Sequence, residues 1–194
     1  MNFLGHLYFS NNDHSLMYAN LFGDFVKGSQ LDHFSPTIQK GIQLHRSIDQ
    51  FIDHHPAVVE LRRSLSASLP KVSSIAIDLY FDHLLSKNWN DFHILEYQQF
   101  LQEFYNFNID ASDNYSSHFL DFRGKLIEHN WMSHYPTKFG LEKLCKGVGS
   151  RLSFKNSLEI AHLVFENQEE EIQASFHHFM NDAIPHFHGI HRNS

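Results

Sequence analysis

Cysteine is nearly absent from this chain; Cys145 is the only one. A single thiol excludes an intramolecular disulfide and a cysteine-ligated zinc site, and it accords with a reducing cytoplasm. Long apolar runs are missing too. No stretch approaches the roughly 18 apolar residues of a membrane span. The opening MNFLGHLYFSNNDHS has neither the basic region nor the apolar core of a signal peptide. Positive charge is scarce: 15 Lys and Arg stand against 22 Asp and Glu, a net charge of -7, which argues against a general nucleic-acid binder. There is no GxGxxG, P-loop, GxSxG or CxxC motif. Strand alternation, hairpin turns, internal repeats and low-complexity linkers are lacking as well.

What is present is helical. The 194 residues, 42% of them hydrophobic and 19 of them Phe, suit one domain spanning 1–194 with a sizeable core. The apolar spacing predicts a single compact all-α domain of about seven helices. Histidine is abundant at 17, which fits metal binding or pH sensitivity. Many histidines cluster near the end (His177, His178, His186, His188, His191), where their spacing gives no metal signature.

The most informative stretch is SPTIQKGIQLHRSIDQFIDHHP, residues 35–56. Ser35 is a suitable N-cap, Pro36 suits the first helical position and Pro56 marks a stop. Ile38, Ile42, His45, Asp49 and Ile52 fall on one face, with Asp53 at its edge. A buried charge without a partner is costly, so His45 and Asp49 call for one another or for a metal ion. A second helix, expected over residues 73–89, places Asp78 and Asp82 four apart on one face with His83 beside them. Like charges at that spacing repel unless something positive lies between them. Two helices with carboxylates and histidine on apolar stripes point together to a metal site. Upstream, residues 16–26 read as a helix ending near Gly28, with Asp24 inside the apolar run as a cap residue or as a group with a specific partner.

Histidine with several carboxylates and no cysteine suits Mn²⁺, Mg²⁺ or Fe²⁺. Such an ion can polarise a phosphoryl oxygen and acidify a bound water. Lys27 and Arg46 could hold phosphate oxygens. Arg46 is also readable as an ordinary surface arginine, since it points away from the His45 face. The reaction class suggested is metal-assisted hydrolysis of a phosphate ester.

MNFLGHL, FGDFVKG, GIQLHRSIDQFIDHHP and IDLYFDHLLSKNW occur in that order, and together they resemble the acyl carrier protein phosphodiesterase family. That resemblance implies an HD-phosphohydrolase-like helical fold with the adjacent pair reversed as Asp82-His83. It implies hydrolysis of the phosphodiester of holo-acyl carrier protein, giving 4'-phosphopantetheine and the apo protein, with a divalent cation, preferably manganese. Carried over by motif, the metal candidates are Asp24, His45, Asp49, Asp78 and Asp82, with His6 and Asp53 as further candidates. His83 is the candidate acid, and Arg46 or Lys27 would steady the phosphate. Because the partner and this chain are both acidic, docking would need a local basic patch, for which Lys40, Arg62, Arg63 and Lys71 are the candidates. Two other readings share these residues: an HD-like phosphohydrolase acting on a nucleotide or small phosphate ester, and a non-enzymatic helical binding module.

Overall fold

A computed structural model describes residues 1–110 and 113–190, apart from the side chains of 189 and 190. Ala111 and Ser112, within the loop expected over residues 108–114, lie outside the described residues, as does His191. Among those described there are helices, turns and loops and no strand. Among the described residues, no helix is long and apolar enough to cross a membrane.

The chain opens with α1 (Phe3–Tyr8), α2 (His14–Phe22) and a 3₁₀ turn (Gly23–Phe25). Next come α3 (Pro36–His54), α4 (Pro56–Leu65) and α5 (Ser73–Lys87). The second half contains α6 (Trp89–Phe92), α7 (Tyr97–Asn106), α8 (Ser117–His129), α9 (Lys138–Gly149), α10 (Ala161–Asn167) and α11 (Glu169–Ile190). These number more than the seven helices expected because stretches that read as continuous are interrupted. Residues 153–187, whose pattern reads as one long helix, break at Gln168 into α10 and α11. The 91–107 segment, whose apolar spacing also reads as one helix, is divided at an extended His93 between the end of α6 and α7. The short α1 escaped the periodicity because six residues contain fewer than two turns.

Helix α3 forms as its sequence dictates. Ser35 Oγ accepts from the Ile38 N–H, Pro36 occupies the first turn, and Ile38, Ile42, His45, Ile48 and Ile52 are buried along one stripe. The closest approach to it is made by α2. A side chain at Gly41 would collide with the Ala19 backbone, so the absence of a Cβ lets the two helices touch. Helix α5 is buried on nearly every side from Ala76 to Ser86, the pattern of a helix through the centre of a core. Phe9, Phe81, Phe176 and Phe179 are packed into that core without exposure.

Two acids on α5 hold the start of the chain. Fully buried Asp82 accepts from the Leu4 N–H through Oδ2 (2.8 Å) and from the Gly5 N–H through Oδ1 (3.0 Å). These N–H groups belong to the first turn of α1, where no intrahelical acceptor exists. The Met1 α-ammonium lies 2.9 Å from Asp78 Oδ1. Burial pushes the Asp82 carboxyl up to about 7, although the ammonium and the two N–H groups pull the other way. The positive group that the α5 spacing demanded is therefore the amino group of Met1.

Asp82→Ala would strand two buried N–H donors, and it should lower stability by about 2–4 kcal/mol in chemical unfolding. Asp82→Asn, which keeps one acceptor, should lose less. An unchanged unfolding midpoint in Asp82→Ala would show that α1 is held by other contacts.

Candidate metal centre

Three elements converge on one point. Helix α1 brings His6, α3 brings His45 and Asp49, and the 3₁₀ turn after α2 brings Asp24. The His45 ring lies against Gly23, where any Cβ would overlap its Cβ and Cγ, so glycine is required beside it. The two imidazoles stack with centroids 4.2 Å apart and planes 15° from parallel. One ligand atom each from His6, His45 and Asp49 fall within 4.8 Å of one another. His45 Nε2 is 3.2 Å from Asp49 Oδ2 and 3.3 Å from Asp24 Oδ1; His6 Nε2 is 3.4 Å from Asp49 Oδ1. His6, Asp24 and Asp49 border a cavity of about 290 Å³, also lined by Met1, Asn2, Asp53 and Asp78.

Hydrogen bonding decides the protonation of His6. Asn20 Nδ2 donates to the His6 carbonyl (2.9 Å) and to Ser10 Oγ (3.1 Å), so its Oδ1 is the acceptor facing His6 Nδ1 at 3.0 Å. Nδ1 therefore carries the hydrogen and Nε2 presents a lone pair to the Asp49 carboxylate. Burial lowers the His6 pKa despite that carboxylate, so the ring is neutral near pH 7. A lone pair facing a carboxylate oxygen needs a cation between them, and the donor set (two imidazoles and one or two carboxylates) suits a divalent metal. The residues present thus fit the ion.

His45 behaves differently. Burial alone would lower its pKa, but the Asp24 and Asp49 carboxylates outweigh this and push it up to about 9. Burial works against ionisation of Asp49, yet the hydrogen bond from His45 holds its carboxyl well below the usual range. His45 Nδ1 is buried without a partner.

A family model described as acyl carrier protein phosphodiesterase matches residues 1–183. The chain belongs to that family. A protein of Salmonella agona named acyl carrier protein phosphodiesterase is 27% identical over 183 residues, covering 92% of this chain and 93% of its own length. One of Escherichia coli O139:H28 with the same name is 30% identical over 155 residues, 78% of this chain and 79% of its own. No solved structure matches.

The remaining candidates are placed as follows. Asp78 lines the family member's cavity, bound to Met1, while Asp82 is turned onto α1 and does not join the cluster. Exposed Asp53 stands at the cavity rim 3.8 Å from Arg62 Nη1, and Arg62 also donates to the Asp53 carbonyl. Arg46 Nη2 donates to the carbonyls of Gly28 (2.6 Å) and Val26 (3.4 Å) and so ties down the loop after Asp24. Lys27 is exposed on that loop. His83 is buried on another side of α5, with Nδ1 2.6 Å from the Tyr135 carbonyl, and lines a separate cavity of about 200 Å³. Lys40, Arg63 and Lys71 are exposed on α3, α4 and the turn before α5.

Sequence reasoning missed Asn20 and Ser10, which set the His6 tautomer. An uncharged amide inside SLMYANLF was the only signal. A buried amide must find partners, and Asn20 is fully buried.

The His45 pKa gives the protein without metal a distinct pH dependence. Its folded value of about 9 exceeds the ordinary 6.5. The stabilisation is therefore complete below about pH 6.5 and lost as pH rises through about 9. Because Asp24 and Asp49 are half-exposed, the loss should be only about 1 kcal/mol. Chemical unfolding in chelator at low and high pH should show this loss in the wild type and not in His45→Gln. An equal loss in both would assign it to other groups.

Proposed function

We propose that the chain is a cytoplasmic, metal-dependent phosphodiesterase that cleaves holo-acyl carrier protein into 4'-phosphopantetheine and the apo protein. Family membership supports the reaction. The observation that carries the chemistry is the neutral His6, aimed lone pair first at the Asp49 carboxylate beside His45 in an open cavity.

His6, His45 and Asp49 would hold the ion, with Asp24 completing the set from its exposed position. A divalent cation there, manganese by preference, supplies positive charge for the phosphoryl oxygens and lowers the pKa of a water. Asn20 keeps the His6 Nε2 lone pair available, as partners of a metal-ligating imidazole do. Arg46 acts on the substrate indirectly, by fixing the loop that carries Lys27. Lys27 is then the cation free to meet a non-bridging oxygen. His83 is walled off by its own hydrogen bond and cavity, so the proton for the departing serine oxygen comes from solvent. Arg63, Lys71 and Lys40 are available to an acidic carrier protein; Arg62 is already engaged with Asp53.

Holo-acyl carrier protein incubated with the protein and Mn²⁺ should lose the mass of phosphopantetheine, and chelator should prevent it. His6→Ala, His45→Ala and Asp49→Ala should each lower turnover by roughly a hundredfold or more with helicity retained. An intact holo protein alongside cleavage of a nucleotide panel would redirect the assignment to a small phosphate ester.

A further inference from the structure

A second cavity adjoins the metal centre. It measures about 600 Å³, is mostly apolar, and is lined by Phe3, Trp131, Phe139, Leu144 and Val148 among others. Val148 borders both cavities. Asn2, in the first, donates to the hydroxyl of Tyr135, in the second, across 3.5 Å, and Phe3 follows Asn2 directly. The two spaces therefore share a wall. Phe139 is 59% exposed there, unusual for so large an apolar side chain. Arg151 lies over the Trp131 ring (5.5 Å) and Lys143 over Phe139 (5.2 Å), so both cations sit among the apolar lining. His129 and His134 add polar groups to the same wall.

We infer that this second cavity binds the pantetheine arm of the substrate while its phosphodiester occupies the first, an assignment that rests on the phosphodiesterase reading above. The phosphorus carries two ester arms, and they differ in kind. One is a folded acidic protein that must stay outside. The other is a slender chain with a gem-dimethyl group and methylenes, interrupted by a hydroxyl and two amides. Its apolar parts match Trp131, Phe139 and Leu144, and its amide oxygens match the donors on Lys143 and Arg151. A concave, mainly apolar site with a few convergent polar groups is the usual form of a small-molecule pocket. Trp131, Phe139 and Leu144 are then specificity residues.

Pantetheine itself, which lacks phosphate, tests the pocket separately from the chemistry. Calorimetry in chelator should show that the wild type binds pantetheine. Gly147 lines the cavity on α9, and a Cβ there meets nothing within 4 Å, so Gly147→Phe starts from open space and adds bulk at the cavity wall. It should weaken pantetheine binding roughly tenfold and raise KM for holo-acyl carrier protein by a similar factor. Phe139→Ala, altering an exposed residue, should weaken binding in the same direction and serves should Gly147→Phe fail to fold. Absence of pantetheine binding to wild type, or equal binding by the variants, overturns the assignment even if holo-acyl carrier protein is cleaved. Pantetheine binding without cleavage would sink the phosphodiesterase reading and leave an arm-binding pocket standing. A wild type that self-associates through this face, with Gly147→Phe monomeric, would make it an interface between copies and overturn the assignment as well.

Discussion

His6 faces Asp49 with a lone pair because Asn20 decides which imidazole nitrogen keeps the hydrogen. The rest of the centre depends on that choice. With the other tautomer, His6 would simply donate to the carboxylate, and the pair would be a satisfied buried hydrogen bond with no use for an ion. Asn20 can choose because it has no freedom of its own; its amide hydrogens are committed to the His6 carbonyl and to Ser10 Oγ. It is held at the right height by α2, which lies tight against α3 through the missing side chain of Gly41. A contact between two helix backbones thus reaches the electronic state of an imidazole through one amide.

Helix α3 was readable from the sequence almost in full. Its cap, its proline start and its buried stripe through His45 all follow from spacing and composition. The α5 acids were half readable. Spacing showed that Asp78 and Asp82 share a face and need a positive neighbour, but periodicity describes one helix and not what crosses it. The neighbour is the Met1 ammonium, with the first N–H groups of α1 beside it. His6 was underrated for a related reason. A six-residue helix repeats no turn, so its histidine never stands out against a periodic background. Asn20 was invisible because an amide carries no charge to mark it as out of place.

Adjacency in sequence does not carry over to adjacency in the site. Arg46 follows His45, and His83 follows Asp82, yet successive helical residues diverge by about 100°. Arg46 consequently leaves the cluster and clasps the loop beyond Asp24, and His83 faces the Tyr135 carbonyl. Both serve structure near the site.

Asp24, Asp49, Asp53 and Asp78 all border one cavity, while a phosphodiester is itself an anion. Substrate and site would repel unless a cation joins them. The fold need not wait for that cation, because His45 can hold a proton between Asp24 and Asp49 with a pKa of about 9. At neutral pH the proton occupies the electrostatic place of the ion and balances the acids. A metal held by His45 would have to displace it, since a ligating imidazole is neutral. The carboxylates that would attract a divalent cation are thus balanced without one by the His45 proton.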